Sequence, residues 1–236
     1  MAEEIARLTD LSADNSYGRG VNAHTVDYSY RVFRRHFVTG SCLELGPAEG
    51  LMTQHLFDDF GDLTVVDASR QFCVSLRERF PSATVVESLF ETFVPDRTFD
   101  NIVLGHVLEH VLDPVAILTS VRGWISPTGR LFAAVPNAQS IHRQIAVVMG
   151  LLETASTLNE TDARMGHRRV YSPDELQRDV RAARFNVETH GGYWLKPVSN
   201  AQIERDWTTE MVEAAMQGGE GYPEIAAEIF VVASPA

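Results

Sequence analysis

The sequence predicts a doubly wound α/β domain. Short runs that are almost wholly apolar alternate with amphipathic segments of helical period, the pattern of strands covered on both faces by helices. A turn of small residues follows the first such run, as it does where a strand feeds a helix. The 236 residues are 44% hydrophobic and 22% charged, which suits one domain with a substantial buried core.

The first periodic element spans 21–37, where Val26, Tyr30, Phe33 and Phe37 share one helical face. A strand is predicted at 41–45, a turn at 46–50, and then a helix marked by Met52, Leu56, Phe57 and Phe60. The second strand, 63–66, leads to a helix carrying Phe72, Cys73, Leu76 and Phe80, which Pro81 ends. Strands at 83–86, 99–104 and 130–135 continue the alternation, with a helix at 114–124 whose Pro114 suits a first-turn position.

After Pro136-Asn137 the alternation breaks. A helical 141–152 and a polar stretch to Tyr171 precede an amphipathic helix at 173–183. Strands at 186–195 and 225–233 follow, separated by a helix over 200–216. Segments 138–171 and 199–222 read as insertions above the carboxyl ends of the strands, where α/β sheets bind ligands. The whole chain reads as one domain: an N-terminal lid over 1–37, a binding core over 38–137, and these two insertions as a cap.

Lys plus Arg number 20 and Asp plus Glu 32, a formal charge of −12 that disfavours nucleic acid and anionic membranes as partners. No apolar stretch approaches a membrane span and the first residues are acidic, so a cytoplasmic protein is expected, monomeric or homodimeric. Cys42 and Cys73, both within apolar runs, read as free buried thiols. Lys196 is the only lysine among the 20 basic residues, an arginine bias typical of a GC-rich bacterial genome.

Leu43-Glu44-Leu45-Gly46-Pro47-Ala48-Glu49-Gly50 lies at the first strand-to-helix turn. A dinucleotide G-x-G-x-x-G would place glycine at 46, 48 and 51, whereas this chain has Gly46, Ala48 and Leu51. Asp67 stands at the tip of the next strand, where a carboxylate accepts two hydroxyl hydrogen bonds at once; it also suits the cap of the helix beginning near Ser69. The turn resembles the E/D-x-G-x-G-x-G element of class I S-adenosylmethionine-dependent methyltransferases, with Ala48 in the middle position. Phe99 to His110, Trp124 to Arg130 and Pro136-Asn137 resemble the fourth-strand and fifth-strand motifs of the ubiquinone-biosynthesis-like group.

That resemblance implies a Rossmann-like, mostly parallel seven-stranded sheet with an antiparallel last strand and helical insertions capping the active site. It implies S-adenosylmethionine as cofactor, held by Glu44, Gly46, Pro47, Ala48, Gly50, Asp67 and Ala68. Ser88, Leu89 and Phe90 would lie near adenine, with Ser88 replacing the family's acid. Tyr17 and Tyr28 would belong to the lid, and His106 would wall the site.

His106, His142 and His167 are candidate catalytic bases, with packing as the alternative role for each. Arg143, Arg168 and Arg169 either attract an acidic group or form a solvated face. His106-Val107-Leu108-Glu109-His110 matches H-x-x-E-H, but ligands four apart need a continuous helix and His106 ends a strand, so no metal is expected. The expected reaction is methyl transfer to O, N or S of a small molecule in bacterial secondary metabolism, including antibiotic biosynthesis. A non-catalytic cofactor-binding scaffold and a nicotinamide-dependent oxidoreductase are the alternatives.

Overall fold

The computed structural model describes residues 7–8 and 18–236. Seven strands form one sheet: β1 (Cys42–Leu45), β2 (Leu63–Asp67), β3 (Thr84–Glu87), β4 (Phe99–Gly105), β5 (Ile125–Pro136), β6 (Phe185–Tyr193) and β7 (Glu228–Pro235). Their order is β3-β2-β1-β4-β5-β7-β6. The pairs from β3 through β5 are parallel, and β7 runs antiparallel to both of its neighbours. β6 is therefore parallel to the rest, and its carboxyl end shares an edge with those of β1, β2, β4 and β5.

The helices are α1 (Val21–Arg34), α2 (Leu51–Asp59), α3 (Arg70–Arg79), α4 (Pro114–Trp124), α5 (Ile141–Val148), α6 (Glu160–Arg164), α7 (Pro173–Ala182), α8 (Asn200–Asp206) and α9 (Thr209–Gly219). Alternate strand residues serve opposite faces of the sheet, as the strand period requires. Leu131, Ala133 and Val135 pack with α4 and α7 through Ile117, Leu118, Leu176 and Val180. Phe132 and Ala134 pack on the other face with Phe33, Leu56 and Met216 of α1, α2 and α9. Cys42 and Cys73 are both buried and free.

Local chemistry explains most element ends. Asp113 accepts from the Ala116 N–H and Pro114 occupies the first turn of α4, so the helix starts where the sequence indicates. Ser172 and Glu175 form a capping box at α7. Several boundaries differ from the expectation: the helix expected over 141–152 ends at Val148, the strand expected over 225–233 is Glu228–Pro235, and two others have a clear local cause. The helix expected over 200–216 is two helices, because Trp207 is extended and Thr208 caps α9 by accepting from the Met211 N–H. β5 begins at Ile125 instead of near Arg130, with a register shift in its pairing to β4. Gly129 passes so close to β4 that an added Cβ would lie 2.9 Å from the Asp100 carbonyl oxygen. Among the described residues no helix is long and apolar enough to cross a membrane.

Candidate active site

The chain leaves β1 through left-handed backbone at Gly46 (φ 69°), Ala48 (φ 46°) and Gly50 (φ 79°). At Gly46 a side chain would collide with Val107, its Cβ lying 2.9 Å from Val107 Cγ2. The bare backbone there bounds a cavity at the carboxyl edge of the sheet. Glu44, Gly46, Pro47 and Ala48 line it from the first turn, Asp67 and Ala68 from the tip of β2, Leu89 and Phe90 from the segment after β3, and His106 from the end of β4. The sequence analysis named all of these. Met52, Phe72, Gly105, Val107, His110 and Val111 also line the cavity, and Val26 brings α1 to it. These additional residues fall between recognisable motifs, and the fold alone assembles them.

Two buried carboxyl groups dominate the electrostatics of this cavity. Asp67 accepts from the Ser69 and Ala48 N–H groups at 2.7 and 3.3 Å. Burial outweighs these bonds and raises its pKa to about 6. The cap of α3 is Ser69 itself, whose Oγ accepts from the Phe72 N–H, so Asp67 shapes the turn without being the cap. Glu44 is 2% exposed and accepts from Thr53 Oγ1 at 2.7 Å, and burial pushes it up to about 8. A cavity with two costly buried acids suits a ligand that carries positive charge and hydroxyl donors.

Other expected residues take different places. Gly50 caps α2 against Leu76, where an added Cβ would lie 2.6 Å from Leu76 Cδ2; it packs the turn and is not among the cavity-lining residues. Ser88 Oγ donates to the Leu89 carbonyl instead of facing the cavity. The Tyr28 hydroxyl donates to Glu220, and its ring stacks on Tyr193 with centroids 5.4 Å apart, so α1 meets the cavity through Val26 and not through this tyrosine. Tyr17 lies outside the described residues.

His142 is not among the cavity-lining residues, and burial, with Lys196 and Arg143 nearby, lowers it to about 2, too weak for a base at neutral pH. His167 sits one layer behind the wall, its ring 4.8 Å from that of His110. The arginines are internal staples. Arg143 pairs with Asp162 at 3.0 Å, Arg168 donates to the His110 carbonyl, and Arg169 donates to the carbonyls of Leu108, Val111 and Leu112.

His106 has left-handed backbone (φ 60°), a strained conformation for a side chain of this size. Ser29 Oγ donates to the Thr25 carbonyl, so the Tyr193 hydroxyl, 2.6 Å from Ser29 Oγ, must donate to it. His106 Nε2, 3.3 and 3.4 Å from these two hydroxyls, meets only acceptor lone pairs and carries a hydrogen. Nδ1 faces Glu109 and Glu228 carboxylate oxygens at 3.6 and 3.8 Å. Burial opposes its charge, but the two carboxylates prevail and raise the pKa. The arrangement favours the charged form of His106 and makes its Nε2 a donor.

His110 is the contrasting neighbour, lowered to about 4 by burial and therefore neutral. Residues 106–112 form turns and not a helix, which removes the H-x-x-E-H geometry. Folding nevertheless brings one donor atom each of Glu109, His110 and His167 within 4.8 Å of one another, a grouping that sequence spacing does not reveal.

A sequence model of the methyltransferase domain matches residues 16–190. The chain belongs to the methyltransferase family. The resemblance to class I S-adenosylmethionine-dependent enzymes in the first turn therefore extends over residues 16–190, while assignment to the ubiquinone-biosynthesis-like group goes beyond the match. No curated protein matches the sequence.

Among solved structures, the fold is similar to a possible histamine N-methyltransferase from Thermotoga maritima (TM-score 0.67, 16% identity, 91% of this chain and 90% of that one). It is also similar to an S-adenosylmethionine-dependent methyltransferase from Mesorhizobium loti (0.65, 14%, 89% and 99%). The glycopeptide N-methyltransferase MtfA, solved with S-adenosylmethionine, aligns at TM-score 0.59 with 17% identity over 90% of this chain and 87% of that one. At these identities the likeness establishes the fold. S-adenosylmethionine is the expected cofactor of this methyltransferase, and the bare turn with its paired buried acids fits a molecule with a sulfonium, an ammonium and a ribose diol.

Two outcomes follow from this geometry. Ala48 holds a left-handed backbone that costs a non-glycine residue roughly 1–2 kcal/mol, partly offset by the greater unfolded-state entropy of glycine. Ala48→Gly is expected to stabilise the protein by about 0.5–1 kcal/mol in urea unfolding; destabilisation would contradict the strain. Cofactor cations binding beside Glu44, whose carboxyl is protonated at neutral pH, are expected to expel its proton. Calorimetric enthalpies of S-adenosylmethionine binding at pH 7 should then vary with the ionisation enthalpy of the buffer, and identical enthalpies in phosphate and Tris would contradict the assignment.

Proposed function

We propose that this methyltransferase transfers the methyl group of S-adenosylmethionine to a small-molecule acceptor in bacterial secondary metabolism, antibiotic biosynthesis included, in the cytoplasm. The observation that carries the reading is the cavity joining the Gly46 turn to Asp67 and His106 along one sheet edge. Bound there, the cofactor supplies an electrophilic methyl on positively charged sulfur. Gly46 lets the backbone approach the ligand, Asp67 accepts from the ribose hydroxyls, Glu44 balances cationic charge, and Leu89 and Phe90 pack on the adenine.

Residues 38–137 form the binding core in this reading, with 1–37 as lid and 138–171 and 199–222 as the acceptor cap. A roofed pocket suits a small acceptor, and the charge of −12 disfavours a phosphate backbone. The reading uses no metal ion, since residues 106–112 form turns and not the helix that H-x-x-E-H ligation needs. The N-methyltransferases among the solved relatives favour nitrogen over oxygen or sulfur as the acceptor atom. With His106 Nε2 directed at hydroxyl lone pairs and His142 only feebly basic, catalysis rests on alignment and exclusion of water.

Asp67→Ala removes charge-assisted hydrogen bonds worth roughly 1.5–3 kcal/mol, so calorimetry is expected to show S-adenosylmethionine affinity lowered about tenfold to a hundredfold. Unchanged affinity would overturn the ribose role of Asp67.

A further inference from the structure

The cavity occupies the strand tips of β1, β2 and β4, whereas the tips of β5, β7 and β6 lie beside it under the cap. That second half holds Lys196, which follows the end of β6, and Glu228, which opens β7. Lys196 is 7% exposed, yet its ammonium has a single hydrogen-bond acceptor, Asn200 Oδ1 at 2.8 Å, and otherwise rests on the Trp194 ring at 4.5 Å. Among the described residues no carboxylate pairs with it. Arg143 and Asp162 nearby neutralise each other at 3.0 Å, and Glu228 acts on Lys196 only across a gap. Burial lowers the Lys196 pKa to about 8.

Three further buried atoms here have no hydrogen-bond partner: Trp194 Nε1, Glu228 Oε2 and His142 Nδ1. Unsatisfied buried groups cost roughly 1–3 kcal/mol each, and a polar occupant would satisfy these three. Trp194 itself holds left-handed backbone (φ 69°). The donors lie on the Lys196 side. The unpaired acceptor lies on the Glu228 side, 3.8 Å from His106 and hence next to the cavity.

Resting on the methyltransferase reading above, we propose that this half of the edge binds the acceptor, and that the acceptor is a small amine bearing an acidic group, its nitrogen toward Glu228 and its acid paired with Lys196 and the Trp194 N–H. Lys196 thereby sets the specificity of the enzyme.

The single lysine allows a direct test. Full-length protein labelled with [ε-13C]lysine and saturated with S-adenosylhomocysteine is titrated by NMR with paired probes, γ-aminobutyrate against butylamine and histidine against histamine. An acid-bearing member is expected to shift the Lys196 resonance and raise its titration midpoint, while its acid-free partner does not. By calorimetry, Lys196→Met should weaken the acid-bearing probe at least tenfold and Lys196→Arg should restore part of the loss, with S-adenosylhomocysteine affinity serving as the folding control. The proposal is overturned if no acid-bearing probe moves the resonance, if the acid-free partners move it equally, or if Lys196→Met leaves probe affinity unchanged. Failure of wild-type protein to bind S-adenosylhomocysteine would instead refute the reading on which the proposal rests.

Discussion

Burying a carboxyl group costs several kcal/mol unless charge or hydrogen bonds compensate it, and this fold buries Glu44, Glu109 and Glu228 and half-buries Asp67 along one edge of its sheet. Each is answered differently. Thr53 and two backbone N–H groups only partly compensate Glu44 and Asp67, which remain poised for a cationic ligand with hydroxyl donors. Glu109 and Glu228 face His106 Nδ1, and the Nε2 side of that ring meets hydroxyls from α1 and β6. That one ring ties β4, β6, β7 and the leading helix together, so the wall of the cofactor cavity and the floor of the acceptor half are the same structure.

Topology turns this chemistry into a site. With β7 antiparallel to its neighbours, β6 ends at the same edge as the parallel strands, bringing Lys196 into line with His106 and the Gly46 turn. The insertion after β5 is held from below, since Arg169 gathers the carbonyls of the 108–112 turn and Arg143 clamps Asp162. Arginines that resemble an anion-binding face in the sequence therefore spend their donors inside the protein. Of the four non-glycine residues with left-handed backbone among the described residues, Ala48, His106 and Trp194 lie at this edge and Arg184 in the turn before β6.

The parallel core was legible in the sequence because its signals are local. Pro114 behind Asp113, the apolar run from Ile102 to Leu104, and the Gly46 turn each declare a start, a strand or a bend within a few residues. The break at Trp207 was hidden, since Thr208 as a cap competes with an otherwise unbroken helical pattern. Glu44, Asp67 and His106 were legible as neighbours around one cavity because strand tips of an α/β sheet converge. Tyr28 is drawn away from the cavity by Glu220, a partner remote in sequence, whereas Gly50 packs the turn against Leu76 and Ser88 turns to the neighbouring Leu89 carbonyl. Lys196 and Glu228 carried no motif at all; only the antiparallel return of β7 brings them together.

The central claim is that the Gly46 turn and the two buried acids form a site for an adenosyl sulfonium and not for a dinucleotide. Fluorescence titration of the wild-type protein with S-adenosylhomocysteine and, separately, with reduced nicotinamide dinucleotide tests it most directly. The account predicts saturable micromolar binding of the first, with one site per chain, and none of the second. Tight binding of the nicotinamide, or no binding of S-adenosylhomocysteine, would contradict it.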